Sequence, residues 1–262
     1  MENMAEANLN IPDLSGKAVL ITGASTGIGA ALAKGFAMQG AKIGLHYNAS
    51  IAAAEAVAAE IEGAGGTVRL IRADLSRSSE AVRMVDEMVS AFGTVDGLIN
   101  NAGGMVARRA YADMTDDFYD EVMDLNARSV LAATKAAIPY LKRQGGFVIN
   151  TTSIAARNGG ALGSGLYGSS KAFISNVTRG MAKELIPFKI RVNAVSPGVI
   201  LTPFHERYST PEQLDAALKQ VPEGRLGMAE DCLGAYLFLA SAALSSYVVG
   251  QIIEVNGGQL MP

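Results

Sequence analysis

The stretch Thr22-Gly23-Ala24-Ser25-Thr26-Gly27-Ile28-Gly29 separates an apolar run, residues 17–22, from an Ala-rich segment that continues to Gly40. The apolar run is typical of a buried strand, and the segment after it has the apolar spacing of a helix that a glycine ends. Glycines in such a turn allow a tight bend, close approach to a pyrophosphate and close helix–strand packing. The helix N-terminus adds free N–H groups and a positive dipole end. The stretch therefore predicts a dinucleotide-binding unit, although a glycine-rich turn can also occur without a ligand.

Short apolar runs and helical segments alternate along the rest of the chain. Further strands are predicted at residues 41–46, 67–71, 95–99, 147–150, 190–195 and 251–255. Helices are predicted at residues 50–62, 79–92, 116–143, 165–185 and 229–242. This alternation predicts an α/β fold: a Rossmann-type, doubly wound, mostly parallel sheet of about seven strands with helices on both faces.

The domain organisation follows from the segments in which strands and helices do not alternate. Residues 1–13 are polar and without pattern, which predicts a mobile tail, and residues 14–262 are expected to form a single dinucleotide-binding catalytic domain. Residues 202–227 break the alternation with three prolines and two glycines, namely Pro203, Pro211, Pro222, Gly224 and Gly227. Interruptions of this kind often form binding loops, so we expect a mobile substrate-loop insertion there.

Composition excludes several classes of protein. The 262 residues contain 22 Lys and Arg against 25 Asp and Glu, and 49% are hydrophobic. A net charge of −3 without a dense basic run speaks against a nucleic-acid partner. Residues 1–6 lack the features of a secretory signal, and no apolar run approaches the ~20 residues of a membrane span. A single cysteine, Cys232, fits a reducing compartment. We therefore expect a cytoplasmic protein with no membrane partner.

A metal site is not expected. The two histidines, His46 and His205, have no Cys or acidic companions at the spacing of metal ligands. Both are interpreted as structural residues at a strand end and in a loop.

The end of the second predicted strand bears on the choice of cofactor. NAD enzymes usually place an acidic residue there to bind the ribose 2′-hydroxyl. This chain has His46-Tyr47-Asn48-Ala49-Ser50 instead. A carboxylate would repel a 2′-phosphate, so its absence favours NADP(H) over NAD(H). No Arg or Lys stands in this local cluster, and Ser25, Asn48 and Ser50 are left to supply neutral hydrogen bonds.

Tyr167 and Lys171 lie four residues apart on a predicted helix, so the phenol and the ammonium group share a face. A free tyrosine has a pKa of about 10, and a neighbouring positive charge lowers that pKa. Such a pair suits a general acid/base that moves a proton to or from a carbonyl or alcohol oxygen. In isolation the spacing is more typical of a surface pair, because chance supplies it in many helices.

Several motifs together with this pair resemble the short-chain dehydrogenase/reductase family over residues 15–260. The turn from Thr22 to Gly29 resembles its glycine motif, and Asp74, after the third strand, its adenine-contacting acid. Asn100-Asn101-Ala102-Gly103 resembles the turn after its fourth strand. Asn126, Ser153, Tyr167 and Lys171 match its catalytic positions, and the Pro197-Gly198 turn with Thr202 matches its nicotinamide-side segment.

The resemblance implies a role for each catalytic position. Tyr167 would donate a proton to the substrate oxygen while the nicotinamide delivers hydride, and Lys171 would bind the nicotinamide ribose and lower the pKa of Tyr167. Ser153 would hydrogen-bond the reacting oxygen, with Thr152 as a rival for that role. Asn126 would hold a water that links Lys171 to solvent.

The resemblance also implies a cofactor site. Its residues would be Gly23, Ser25, Thr26, Gly27, Ile28, Gly29, Tyr47, Asn48, Ser50, Asp74, Leu75, Asn101, Ala102, Gly103, Tyr167, Lys171, Pro197, Gly198, Ile200 and Thr202.

The substrate is less sharply indicated. Residues 224–227 and 255–258 look like segments of bacterial 3-oxoacyl-acyl-carrier-protein reductases, which makes a 3-oxoacyl thioester the first candidate. Sugar, polyol and other small-alcohol dehydrogenases share similar endings and form the main alternative. A non-catalytic NAD(P)-binding regulator would be expected to lack Tyr167, Lys171 or Ser153, and an epimerase would need a larger C-terminal domain.

Partners are inferred in the same way. Four surface bases could bind an acidic carrier protein or could simply be solvated. They are Lys142, Arg143, Arg157 and Arg179. The resemblance also implies a homotetramer, with one interface through the Tyr167 helix and the long helix before it. The C-terminal strand region would form another.

Overall fold

The computed structural model describes residues 10–261, and its centre is a seven-stranded, entirely parallel sheet. The strands lie in the order β3-β2-β1-β4-β5-β6-β7. Their bounds are β1 Ala18–Ile21, β2 Lys42–Tyr47, β3 Thr67–Arg72, β4 Gly97–Asn100, β5 Gly146–Thr151, β6 Ile190–Pro197 and β7 Ile252–Val255. The strand order reverses between β1 and β4, which opens a crevice at their carboxyl ends.

Helices cover both faces of this sheet, so the predicted doubly wound α/β fold is confirmed. Their bounds are α1 Gly27–Met38, α2 Ile51–Gly63, α3 Ser78–Phe92, α4 Asp116–Met123, α5 Ser129–Leu141, α6 Ala155–Asn158, α7 Gly165–Leu185, α8 Pro203–Tyr208, α9 Pro211–Leu218, α10 Ala229–Ala240 and α11 Ala242–Ser245. Helices α1, α2 and α10 share one core, and α3, α5 and α7 share the core on the other face.

The first strand shows why the sequence folds into these layers. Val19 and Ile21 pack into the core with α1 and α10, whereas Ala18 and Leu20 point to the opposite core. All four are at most 1% exposed, because side chains of a strand alternate between two covered faces. No helix within residues 10–261 is long and apolar enough to cross a membrane.

One predicted helix, residues 116–143, differs from the structure. It ends at Leu141, and α4 passes into α5 through a π-helical turn, Asp124–Arg128. A π turn adds one residue to a helical turn and is frequent at functional sites. Apolar spacing does not reveal it, since the helix continues on both sides. The turn contains Asn126.

The predicted tail is wrong at its C-terminal end. Residues 1–9 lie outside the described residues, but Ile11 is 4% exposed within a core and residues 12–14 form a 3-10 turn. The carboxylate of Asp13 accepts hydrogen bonds from the Ser241 hydroxyl at 2.8 Å and the Ala243 N–H at 3.0 Å. The segment is therefore anchored to the start of α11, a contact with a residue far away in the sequence.

The predicted insertion contains α8 and α9, and its two ends are joined. The N–H of Leu201 donates to the Gly227 carbonyl at 2.8 Å, and the N–H of Gly227 donates to the Val199 carbonyl at 3.0 Å. The segment thus rises from a closed base beside the carboxyl end of β6.

The anchor at Asp13 gives a prediction for stability. Asp13→Ala removes the acceptor of two hydrogen bonds, so the free energy of unfolding should fall by about 1–2 kcal/mol at neutral pH, measured by urea denaturation. Burial alone would raise the pKa of Asp13, but the hydrogen bonds from Ala243 and Ser241 outweigh it and lower the pKa. The difference in the free energy of unfolding between wild type and Asp13→Ala should therefore be complete above pH 3.8, the ordinary pKa of Asp. It should shrink as the pH falls through the lowered pKa of Asp13 in the folded protein.

The control is Asp113→Ala, which removes an exposed carboxylate with no ion pair to the described residues. Equal unfolding curves for Asp13→Ala and wild type would contradict the anchor.

Candidate active site

A cavity of about 840 Å³ occupies the crevice at the carboxyl edge of the sheet. It is lined by all the predicted catalytic and cofactor-binding residues except Gly29 and Asn126. The topology therefore brings together residues from the ends of six strands that are scattered along the sequence.

The glycine turn forms one wall. Gly23 and Gly27 have φ angles of +63° and +54°, a conformation that glycine adopts without strain. A Cβ atom on Gly29 would lie 2.1 Å from the Gly23 carbonyl oxygen, so Gly29 lets α1 pack against the turn and does not face the cavity. Its assignment as a residue in contact with the cofactor stays a prediction.

The turn fits the pyrophosphate of a dinucleotide. Helix α1 begins after Thr26 without a side-chain cap and without an acidic residue in its first turn. Its first N–H groups therefore have no intrahelical partner and no competing carboxylate beside them. Ser25, Thr26 and Ile28 line the cavity at this helix end, which is the arrangement that binds phosphate.

Two side chains hold the turn in place. Nδ1 of His46 accepts the Gly23 N–H at 2.9 Å, and Nε2 lies 3.0 Å from the Ala73 carbonyl oxygen, to which it donates. Burial lowers the pKa of His46 to about 4, so the ring is neutral and this tautomer satisfies both bonds. The Asn101 amide donates to the carbonyls of Thr22 and Gly23 at 3.0 and 3.1 Å.

The adenine end contains arginines that the sequence analysis missed. A second cavity of about 390 Å³ shares Asn48 and Asp74 with the first and is also lined by Arg72, Arg77, Glu80 and Arg83. Nε of Arg72 donates to the Asn48 carbonyl at 3.2 Å. Arg72 is distant from Asn48 in the sequence, but the parallel register pairs it with Tyr47. A search for bases near the end of β2 alone could not find it.

Thr152 and Ser153 point in different directions. The Thr152 hydroxyl is 2% exposed, donates to the Lys171 carbonyl at 3.0 Å and contacts the Ser175 hydroxyl at 2.7 Å. Ser153 lines the cavity, and its hydroxyl lies close enough to the Tyr167 phenol to act on the pKa of that phenol. The geometry favours Ser153 as the hydroxyl that reaches a substrate, because that of Thr152 is committed to α7.

The pKa of Tyr167 moves in the direction opposite to our expectation. Burial raises it to about 12, against a lowering by the Ser153 hydrogen bond. The Lys171 ammonium lies 5.8 Å from the centre of the Tyr167 ring and donates to the Thr151 carbonyl at 3.0 Å. Burial lowers the pKa of Lys171 to about 8. At neutral pH the phenol is therefore protonated, which is the form that can donate a proton.

Asn126 is fully buried beside this pair. Its amide donates to the carbonyls of Gly104 and Val122, both at 2.8 Å, and its Oδ1 accepts the Gly104 N–H at 3.1 Å. A Cβ atom on Gly103 would lie 2.7 Å from Oδ1 of Asn126 and 3.0 Å from Nζ of Lys171. The π turn thus brings Asn126 close to Lys171, but the side chain does not line the cavity.

The insertion and the segment after β4 complete the cavity near Tyr167. The Phe204 ring lies 5.6 Å from that of Tyr167 and 5.0 Å from that of Tyr208. The Arg108 guanidinium donates through Nε to the Tyr208 carbonyl at 2.8 Å and through Nη1 to the Leu162 carbonyl at 2.9 Å. The sequence marked the insertion only as a loop, and it contained no signal for Arg108.

The bases considered as a rim for a carrier protein are mostly elsewhere. Lys142 and Arg143 follow α5 and precede β5, so they lie at the amino edge of the sheet, opposite the cavity. There they contact the rings of Phe188 and Tyr140. Arg179 is more than three turns along α7 from Tyr167 and donates to the Ser175 carbonyl. Arg157, on α6, lies between Ala155 and Asn158, which line the cavity, but it does not line the cavity itself.

Other reactive side chains are tied into the structure. Within residues 10–261 no group of three or more His, Cys, Asp or Glu is arranged to hold a metal ion. His205 contacts the Ser209 hydroxyl at 2.9 Å. Cys232 is buried in the core, and burial raises its thiol pKa to about 12.

The sheet, the glycine turn and the side chains near Tyr167 define the class as nicotinamide-dinucleotide-dependent oxidoreductases. A family model described as Enoyl-(Acyl carrier protein) reductase matches residues 23–259. The chain belongs to the short-chain dehydrogenase/reductase family and is an NAD(P)-dependent enzyme that acts on CH–OH and C=O groups.

Relatives cover nearly the whole chain. The 3-oxoacyl-[acyl-carrier-protein] reductase FabG of Thermotoga maritima is 37% identical over 94% of this chain and 98% of the relative. Among solved structures, the NADH-dependent reductase A1-R′ responsible for alginate metabolism is 40% identical, with a TM-score of 0.88 over 96% of this chain and all of that chain. A short-chain dehydrogenase from Burkholderia cenocepacia in complex with NADP is 33% identical, with a TM-score of 0.88 over 94% of this chain and 99% of that chain.

The two hydroxyls after β5 can be separated by mutation. Ser153→Ala should lower kcat by about 100-fold with dinucleotide binding intact, because it removes a donor to the developing charge on the substrate oxygen. Thr152→Ala should mainly lower thermal stability, because it removes bonds to α7. Steady-state kinetics and thermal unfolding of both variants measure this, and a larger loss of kcat in Thr152→Ala would reverse the assignment.

Proposed function

We propose that the chain reduces a carbonyl compound to a secondary alcohol, with Tyr167 as the proton donor. The observation that carries this proposal is the meeting of Ser153, Tyr167 and Lys171 at the end of β5, in the cavity that the glycine turn also lines. A bound nicotinamide dinucleotide would supply the hydride.

The roles of the side chains follow from their contacts. Ser153 and Tyr167 both line the cavity with their hydroxyls close together, so a carbonyl oxygen placed between them would accept from both hydroxyls. The raised pKa keeps the Tyr167 proton available until negative charge develops on that oxygen. Lys171 uses one donor on the Thr151 carbonyl, which leaves two for ribose hydroxyls and for the phenolate formed after transfer. Asn126, braced by the π turn, would hold the water that returns a proton to this pair.

The cavity wall supports a small, polar substrate of the sugar or polyol type. It includes several groups that can hydrogen-bond hydroxyls, namely Asn158, His205, Gln213 and Gln220. The similarity to a reductase responsible for alginate metabolism supports the same choice.

A 3-oxoacyl thioester is the second candidate. It is supported by 3-oxoacyl-[acyl-carrier-protein] reductases of Thermotoga maritima and Staphylococcus epidermidis, each 37% identical to this chain. The distance of Lys142 and Arg143 from the cavity counts against docking of an acidic carrier protein through those bases.

Tyr167→Phe tests the proton donor. The variant should bind the dinucleotide as wild type does, since only the hydroxyl is removed, and should lose about 100- to 10,000-fold in kcat. Consumption of NADPH or NADH with dihydroxyacetone and with ethyl acetoacetate measures turnover on a sugar-like and on a 3-oxoacyl-like carbonyl. Tyr119→Phe, at an exposed tyrosine outside the cavity, is the matched control. Turnover near that of wild type in Tyr167→Phe would refute the mechanism.

We further propose that NADP(H) is preferred over NAD(H). The support is the absence of a carboxylate at the end of β2, together with Arg72 and Arg77 in the adjoining cavity. Arg83 is less available, because it pairs with Glu80 and Glu87. The neighbouring structures contain either dinucleotide, so the choice depends on these local groups.

The double variant Arg72→Gln/Arg77→Gln tests the preference. Removal of two charged donors should weaken NADPH binding by about 10- to 100-fold and leave NADH binding within about threefold. Fluorescence titration of each variant with both dinucleotides measures this. Arg69→Gln, at an exposed arginine on the same strand, should bind as wild type does. Tighter NADH binding by wild type would overturn the preference.

We also propose a homotetramer. Apolar side chains stand exposed on α5 and α7, at Leu131 and Phe173, and near the edge strand β7, at Leu244 and Tyr247. These are the two regions that the family resemblance implies as interfaces.

The single cysteine supports the cytoplasm as the compartment of this protein.

A further inference from the structure

The charges that line the large cavity are distributed unevenly. Its only acidic residue among the described residues is Asp74, which lies at the adenine end. The rest of the lining contains Arg108, Arg207 and His205 and no other carboxylate. His205 and Arg207 belong to α8, whose Phe204 ring lies 5.6 Å from that of Tyr167, and Arg108 donates to the last residue of the same helix. The space beside the reacting groups therefore has a positive potential, which would attract an anionic substrate but not a neutral one.

Arg108 is the central feature of this region. Within residues 10–261 no carboxylate oxygen lies within 4.0 Å of its guanidinium nitrogens. Its two hydrogen bonds go to the neutral carbonyls of Tyr208 and Leu162, and Nη2 forms none to the described residues. A half-buried guanidinium without a counter-ion is costly to maintain, because desolvation of the charge is not repaid.

The electrostatic effect of this charge reaches its neighbours. Burial lowers the pKa of Arg108, and burial together with the Arg108 charge lowers the pKa of His205. His205 is therefore neutral at physiological pH and does not add to the charge. An anion bound at Arg108 would relieve both effects.

Arg108 is also held ready to bind. Its two carbonyl partners belong to separate segments of the chain, Tyr208 at the end of α8 and Leu162 in the loop before α7. This fixes the guanidinium before a ligand arrives, which reduces the entropy lost on binding. The pyrophosphate of a dinucleotide has its own site at the start of α1, so it does not account for Arg108.

We propose that the substrate is an oxo acid, whose carboxylate binds Arg108 while its carbonyl group lies between Ser153 and Tyr167. The inference rests on the proposed function and narrows its substrate class. A guanidinium offers parallel N–H donors that match a carboxylate, and such charge-assisted bonds are stronger than those to a neutral ester or hydroxyl. Arg108 would thus select acidic over neutral carbonyl compounds and orient them for proton transfer.

The test uses carbonyl compounds in matched acidic and neutral pairs. The pairs are pyruvate with ethyl pyruvate, acetoacetate with ethyl acetoacetate, and levulinate with ethyl levulinate. For the best pair, wild type should prefer the acid by at least about tenfold in kcat/KM, as one charge-assisted bond provides. Arg108→Gln should lower kcat/KM for the acid by about 10- to 100-fold, mainly through KM, and change the neutral partner by less than about threefold.

Two further variants separate recognition from folding. Arg108→Lys keeps the charge but not the fork, so it should recover part of the acid preference. Arg157→Gln removes an exposed base outside the cavity and should leave both members of each pair unchanged. If Arg108→Gln lowered kcat/KM equally for the acid and the neutral partner, Arg108 would only connect the segments of Tyr208 and Leu162, and the inference would be wrong. A wild-type preference for the neutral members would also overturn it.

A binding measurement does not depend on turnover. Pyruvate, acetoacetate and levulinate are titrated into the NADPH-loaded protein, and the fluorescence of the bound dinucleotide is followed. At least one should bind to wild type and about 10-fold or more weakly to Arg108→Gln. If none binds in an Arg108-dependent way, the inference fails. Turnover of neutral carbonyls that depends on Tyr167 would then still uphold the proposed function. Arg108-dependent binding without turnover of any compound would support an anion site at Arg108 but contradict the proposed function, and with it the assignment of the oxo acid as substrate.

Discussion

The attachment of the end of β5 to α7 is the interaction on which the site depends. The Thr152 hydroxyl holds the Lys171 carbonyl and Ser175, while the Lys171 ammonium holds the Thr151 carbonyl. Deeper in the core, the buried amide of Asn150 continues this attachment to Thr178. Because these bonds are satisfied in a low-dielectric interior, they fix the strand end relative to the helix. Ser153, which follows β5, and Tyr167, on α7, are thereby held close to each other.

The fold could be predicted from local patterns, because each strand is a short apolar run and each helix has its own spacing. Even so, the π turn at Asp124–Arg128 was missed, since an extra residue in a helical turn leaves the apolar pattern on either side intact. The anchored segment around Ile11 was missed for another reason. A short polar stretch with one buried apolar residue has no periodicity, and its partner, Ser241, comes near the other end of the chain.

The site was predictable where a motif is continuous in the sequence and not where it is assembled in space. Gly23, Gly27 and Tyr167 lie at the cavity, and their spacing in the sequence carries the signal. Arg72 and Arg108 were not predicted, because strand register and loop packing bring them to the site. The pKa of Tyr167 shows a further limit: the sequence indicates a neighbouring cation, but the extent of burial decides the direction of the shift.

The contact of Asp13 with Ser241 and Ala243 has a consequence for biosynthesis. A chain that emerges from the ribosome N-terminus first has made β1 and the glycine turn long before α10 and α11 exist. The core on that face includes Tyr236 and Leu237 of α10, packed with α1, so it stays incomplete until late in translation. The N-terminal strands and helices are therefore synthesised while their apolar surface is still exposed. A nascent chain that stalls before residue 229 would expose this surface and would be expected to bind chaperones.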